Sequence, residues 1–92
     1  MPPLDFDWDD GNRQKSVIKH EISNKEAESI FNDPLRLVVV SNRALEVRFL
    51  CIGKSNLNRI LTAYFIVRNG KVRVIGTRVA REKEKTKYEQ ER

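Results

Sequence analysis

Ile60-Leu61-Thr62-Ala63-Tyr64-Phe65-Ile66-Val67-Arg68-Asn69-Gly70-Lys71-Val72-Arg73-Val74-Ile75-Gly76-Thr77-Arg78 reads as two β-strands around a tight turn. Both flanks are rich in β-branched and aromatic residues, which suit a pleated, half-buried surface. Asn69-Gly70 supplies the positive φ angles that a two-residue hairpin turn needs. Such a turn sets Arg68 opposite Lys71, Ile66 opposite Arg73, Tyr64 opposite Ile75 and Thr62 opposite Thr77, with Arg73 near Tyr64 and Thr77. Arg73 and Arg78 are five residues apart, so a regular strand sends them to opposite faces. Either a bulge at Gly76 brings them together, or Arg78 lies beyond the strand end, where its direction is free.

On the N-terminal side, residues 35–40 and 45–52 form two more strands, separated by the turn-like Ser41-Asn42-Arg43, and Ser55-Asn56 lies in the next loop. Ser23 followed by Glu26 fits a capping box, and Ala27, Ile30 and Phe31 recur at helical spacing. Asp33-Pro34 ends that helix, because the residue before proline disfavours helical geometry. Asp9-Asp10-Gly11-Asn12 is suited to start an earlier helix reaching Lys19 or His20. Leu4, Phe6 and Trp8 alternate with Asp5, Asp7 and Asp9 in the pattern of a strand. Beyond Arg78 the chain is helix-favouring but polar, with only Val79, Ala80 and Tyr88 to hold it to the body.

The order is therefore β-α-α-β-β-β-β-α: one α+β domain over residues 1–92, its mainly antiparallel sheet covered on one face by the first two helices. Ninety-two residues bury a modest core, so a permanent partner would help stability. The net charge of +5 and a pI of about 9.7 favour anionic partners. No apolar run approaches a spanning length and no export signal stands out, which argues against a membrane protein. The single cysteine, Cys51, cannot form an internal disulfide, consistent with a reduced, cytoplasmic protein.

His20, the only histidine, follows Lys19; it can move a proton near neutral pH beside a fixed positive charge. At a helix end the commoner reading of a lone histidine is a partner for the helix dipole. Glu46 and Arg48 point the same way on a strand, either as a surface ion pair or as a base beside an orienting cation. Arg73 and Arg78 sit among valine and isoleucine, where a guanidinium needs an anion, a carboxylate or an open cleft. The basic residues of the last helix are diluted by glutamates and read as a solvated face. Cleaving RNA through its 2′-hydroxyl needs a proton acceptor, cations for the phosphoryl oxygens and a donor for the leaving 5′-oxygen, and side chains suffice without metal. Lys19, His20, Glu46, Arg48, Arg73, Arg78 and Tyr88 include each type. The acidic run Asp5, Asp7, Asp9 and Asp10 lacks further ligands at suitable spacing, so helix capping explains it better than a metal site. No cofactor is expected.

In sum, these segments resemble the BrnT family of bacterial type II toxins. The matching features are Phe6-Asp7-Trp8-Asp9, Asn12, Lys19-His20, Glu26-Ala27, Phe31-Asn32-Asp33-Pro34, Glu46-Val47-Arg48-Phe49, Ile52-Gly53, Arg73-Val74-Ile75, Arg78-Val79-Ala80, Glu84 and Tyr88. They follow in order over nearly the whole chain. The resemblance implies a RelE-like fold and metal-independent mRNA cleavage that inhibits translation. It also implies a cognate BrnA-type antitoxin that neutralises the toxin, links it indirectly to operator DNA, and allows dimerisation within the complex. Carried over, the site is Lys19, His20, Arg48, Arg73, Arg78 and Tyr88, with Glu46 as a further candidate. Lys19 and His20 handle protons or hold the phosphate, the arginines stabilise developing charge, and Tyr88 donates a proton or stacks on a base. The glycine that commonly follows the Lys-His pair is here Glu21, which puts a negative charge beside the proposed base. Two alternatives follow: a catalytically weak homologue serving as an antitoxin-binding, operator-associated module, and a general nucleic-acid-binding domain.

Overall fold

The computed structural model describes residues 5–8, 21–41 and 48–90. The expected helix between Asp9 and His20 lies outside them, as do Lys19, His20 and Glu46. The described elements are β1 (Phe6–Asp7), α1 (Asn24–Ser29), a 3-10 turn (Ile30–Asn32), β2 (Leu37–Ser41), β3 (Arg48–Lys54), β4 (Ile60–Arg68), β5 (Lys71–Val79) and α2 (Glu82–Gln90). The sheet order is β1-β5-β4-β3-β2, with β1 parallel to β5 and every other pair antiparallel. The fold is α+β, as the pattern of strands and helices predicts.

Alternation along the strands divides the sheet into two faces. On one, Cys51, Leu61, Ala63, Phe65, Val72 and Val74 join Ile22, Ala27, Ile30 and Phe31 from the α1 region in the main core. Phe6, Phe31, Phe65 and Phe49 form a chain of ring contacts with centroids 5.1–5.3 Å apart, tying β1 to β3 through the 3-10 turn. Burying one such ring is worth about 2 kcal/mol. The 3-10 turn can come this close because Gly53 has no side chain: a Cβ there would lie 2.8 Å from the Ile30 carbonyl oxygen.

The other face carries a smaller core under α2. Thr62, Ile52 and Tyr88 are buried there, and the Tyr88 hydroxyl donates to Asp33 Oδ2 at 2.6 Å. The same oxygen accepts the Lys54 N–H at 2.8 Å, so Asp33 fastens α2, β3 and the end of the 3-10 turn together. Burial works to raise the Asp33 carboxyl, yet these bonds and the Leu35 N–H hold it below its ordinary value. Of the three apolar anchors expected for α2, Ala80 and Tyr88 are buried while Val79 stays exposed. The expected placement of both early helices on one face is met only by α1 among the described residues; α2 lies across the opposite face.

Ser23 caps α1, its Oγ accepting the Glu26 N–H at 3.0 Å. The reciprocal half of the capping box does not form. Glu26 turns away to accept from Ser55 Oγ at 2.7 Å and Arg59 Nε at 2.8 Å, with a second, shorter bond from Arg59 NH2 to Oε1. A charged guanidinium is a stronger donor than a neutral backbone N–H, and it wins. Arg59 also reaches the Glu21 carbonyl at 3.3 Å, so one side chain binds the β3–β4 loop to the segment leading into α1.

Candidate active site

The β4–β5 hairpin begins as the sequence predicts. Asn69 and Gly70 have φ of 55° and 74°, and Arg68 pairs with Lys71 and Ile66 with Arg73. The predicted register then fails at Ile75. Phe65 pairs with Val74 but Tyr64 pairs with Gly76, so Ile75 is an unpaired extra residue, and Thr62 faces Arg78 rather than Thr77. One inserted residue reverses the alternation beyond it. Arg78 is thereby brought onto the face of Arg73, Tyr64 and Thr62, and Thr77 turns into the protein, 2% exposed. Gly76 lies beside the bulge, and a Cβ there would meet nothing within 4 Å.

This places Arg78 against the start of α2. Its NH1 and NH2 grip Glu84 Oε1 and Oε2 at 2.6 and 2.9 Å, and its Nε donates to the Tyr64 hydroxyl at 2.8 Å. NH1 also reaches the Val79 carbonyl at 3.4 Å. A guanidinium has five N–H donors. Among the described residues, one on NH2 is left over. Glu84 is equally engaged: Oε1 also accepts the Arg81 N–H at 2.8 Å and the Thr62 hydroxyl at 3.1 Å. The Arg81 bond is the reach-back half of a helix cap. Burial tends to raise the Glu84 carboxyl, but the Arg78 and Arg81 hydrogen bonds, the Arg78 charge and Thr62 bring it down to about 2. A carboxylate held this firmly is a poor proton acceptor at neutral pH. It orients Arg78 and raises that guanidinium still further above its ordinary value.

These groups form one end of a cleft of about 310 Å³, lined by Val40, Ser41, Leu50, Tyr64, Arg78, Arg81 and Glu84. Two guanidiniums face one carboxylate, so the opening is net positive. Arg81, just ahead of α2, is exposed and no described side chain holds its guanidinium. Leu50, on the same sheet face as its partner Tyr64, gives the cleft an apolar side.

Of the seven site residues expected from sequence, Arg78 lines this cleft. Arg48 starts β3 as the register partner of Ser41 and is exposed at the margin of the cleft. Arg73 shares the face, about four strand steps or roughly 13 Å from Arg78. The anion it required is Asp7 on β1, whose Oδ2 accepts from Nε and NH2 at 3.2 and 3.0 Å. That also gives Asp7 a partner. Tyr88 is not among the residues lining this cleft: 1% exposed and donating to Asp33, it anchors α2. Lys19, His20 and Glu46 fall outside the described residues. Tyr64, Arg81 and the Glu84 clamp were not among the expected site residues. The signal for Tyr64 was its expected place on the face of Arg73, and for Arg81 its position beside Arg78-Val79-Ala80. Cys51 is buried, its thiol pushed up to about 12 by desolvation, so it is inert at neutral pH.

A family model described as "Ribonuclease toxin, BrnT, of type II toxin-antitoxin system" matches residues 8–84. The chain belongs to the BrnT family. The matched span includes every described strand from β2 to β5, the cleft arginines and Glu84. The 1.1 Å crystal structure of the Brucella abortus ribonuclease toxin BrnT is similar in fold, with a TM-score of 0.62 and 22% identity over 86% of this chain and 99% of that one. No curated protein matches the chain. Membership in the BrnT family gives the chain the general role of a ribonuclease toxin and implies an antitoxin partner.

Proposed function

We propose that this chain is an endoribonuclease toxin that cleaves mRNA in the cytoplasm by side-chain chemistry, without metal, and so inhibits translation. The observation that carries this reading is the cleft itself. A clamped guanidinium and an exposed one converge on an opening with an apolar side, which suits a phosphodiester beside an unstacked base. Arg78, fixed by Glu84 and Tyr64, offers its remaining N–H and its charge to a phosphoryl oxygen without reorganising. Arg81 and Arg48 extend the positive field along the strand of RNA. His20 and Lys19 are the proposed proton-handling groups, and a BrnA-type antitoxin the proposed neutralising partner, through which the complex meets operator DNA.

One observation favours a second reading, a non-catalytic antitoxin-binding module: Glu84 already fills most of the Arg78 fork. A single pair of experiments separates the two. The purified chain, incubated with single-stranded RNA in chelator, is expected to cut it, with Arg78→Ala losing most of that activity. Expression without an antitoxin is expected to arrest growth. Intact RNA at every protein concentration, together with normal growth, would leave only the binding module.

A further inference from the structure

We propose that Tyr64 is the general acid of this site, giving its phenolic proton to the 5′-oxygen that leaves when the RNA chain is cut. The proposal rests on the ribonuclease reading above and deepens it. Tyr64 lines the cleft between Leu50, its partner on β3, and Gly76, its partner on β5. Its oxygen accepts from Arg78 Nε at 2.8 Å, and the guanidinium carbon lies 5.2 Å from the ring centroid. An oxygen that accepts from a cation must turn its own proton elsewhere. Among the described residues nothing accepts that proton, and the cleft adjoins the ring. Gly76 contributes no side chain to the space opposite, where a Cβ would meet nothing within 4 Å.

The step balances. The 2′-oxygen forms a bond to phosphorus and its proton passes to a basic side chain, the role proposed for His20. The bond from phosphorus to the 5′-oxygen breaks and its electron pair stays on that oxygen, which takes the Tyr64 proton. The products are a 2′,3′-cyclic phosphate and a free 5′-hydroxyl. The phenolate oxygen left behind already faces the Arg78 Nε–H, and water returns the proton.

Two substrates of one sequence test this: an ordinary RNA and one whose scissile 5′-oxygen is sulfur, since a thiolate leaves without being protonated. Tyr64→Phe keeps the ring and removes the donor. It is expected to lower kcat on ordinary RNA by about a hundredfold or more with KM little changed, and to cut the sulfur substrate at close to the wild-type rate. A variant as active as wild type on ordinary RNA, or one slowed equally on both substrates, overturns the assignment while leaving the ribonuclease reading intact. Wild-type protein inactive on both substrates overturns the ribonuclease reading instead.

Discussion

Two glutamate–arginine pairs are built alike and sit on opposite faces of the sheet. Glu26 on the α1 side and Glu84 at the start of α2 each accept a forked guanidinium and a hydroxyl. Both carboxyls are held below their ordinary value. Their surroundings differ. Glu26 is 2% exposed and its partner Arg59 ties together a loop, a helix and the Glu21 carbonyl. Glu84 and Arg78 line an opening, beside a tyrosine hydroxyl with an uncommitted proton and a second, exposed arginine. The pairing geometry alone therefore says nothing about function. What distinguishes the second pair is its setting. Arg59 is the more exposed side chain, 36% against 15% for Arg78. Arg78 and Glu84, however, line a cleft that also holds a tyrosine hydroxyl and a second arginine.

The comparison breaks most directly at the two arginines. Arg78→Ala is expected to lower RNA cleavage by roughly a hundred- to a thousandfold, the usual cost of removing one preorganised donor to developing charge. If the rate stays within a few fold of wild type, Arg78 is as purely structural as Arg59. On the other face, Arg59→Ala leaves a buried carboxylate without its cation, which should cost about 3 kcal/mol in urea unfolding. Glu26→Gln should cost less, because Arg59 can turn to solvent. Equal costs for the two would contradict the buried-charge account.

Acid sharpens the contrast next. Glu84 binds its proton near pH 2 when folded and near 4.5 when unfolded. The unfolded chain thus holds more protons between those values, and stability is full above about 4.5 and lost as pH falls toward 2. At 1.36 kcal/mol for each pH unit the pair accounts for about 3 kcal/mol. Urea midpoints at pH 7, 4 and 3 should fall less steeply for Glu84→Gln than for wild type, and parallel slopes would remove Glu84 from the acid response.

The smallest effect belongs to Glu21. Its φ of 57° is a left-handed conformation that costs an L-residue about 1–2 kcal/mol. Glycine adopts that conformation freely. Glu21→Gly should raise stability by about 0.5–1 kcal/mol after the extra entropy of glycine is counted. A loss of stability would mean that the side chain, not the backbone, decides this position.

Much of the fold was legible because its signals are local. Asn69-Gly70 fixed a turn, Ser23 a helix start, and Asp33-Pro34 a helix end, and each needs only its neighbours to act. The site was less legible because it depends on one unpaired residue. Nothing in Val74-Ile75-Gly76 except the glycine marks a bulge, yet that bulge decides which face Arg78 takes and so whether it meets Tyr64. The fate of Glu26 was hidden for another reason. Its competitor for the capping bond, Arg59, is 33 residues away and becomes a neighbour only once the sheet has formed. From sequence Tyr88 was the site candidate, and Tyr64 only a strand neighbour of Arg73. Burial against Asp33 removes Tyr88 from the cleft, and strand parity puts Tyr64 in it.

The claim on which the rest depends is that RNA enters at Arg78 and Arg81 rather than elsewhere on a basic surface. Its most direct test is an NMR titration of the protein with an RNA oligonucleotide methylated at every 2′-oxygen, which binds but cannot be cut. Resonances of the Arg78 Nε–H, the Tyr64 ring and the Arg81 amide should shift in step with binding while the Arg59 Nε–H stays in place. Saturable shifts confined to Arg59 and its loop, with the cleft resonances unmoved, would contradict the account.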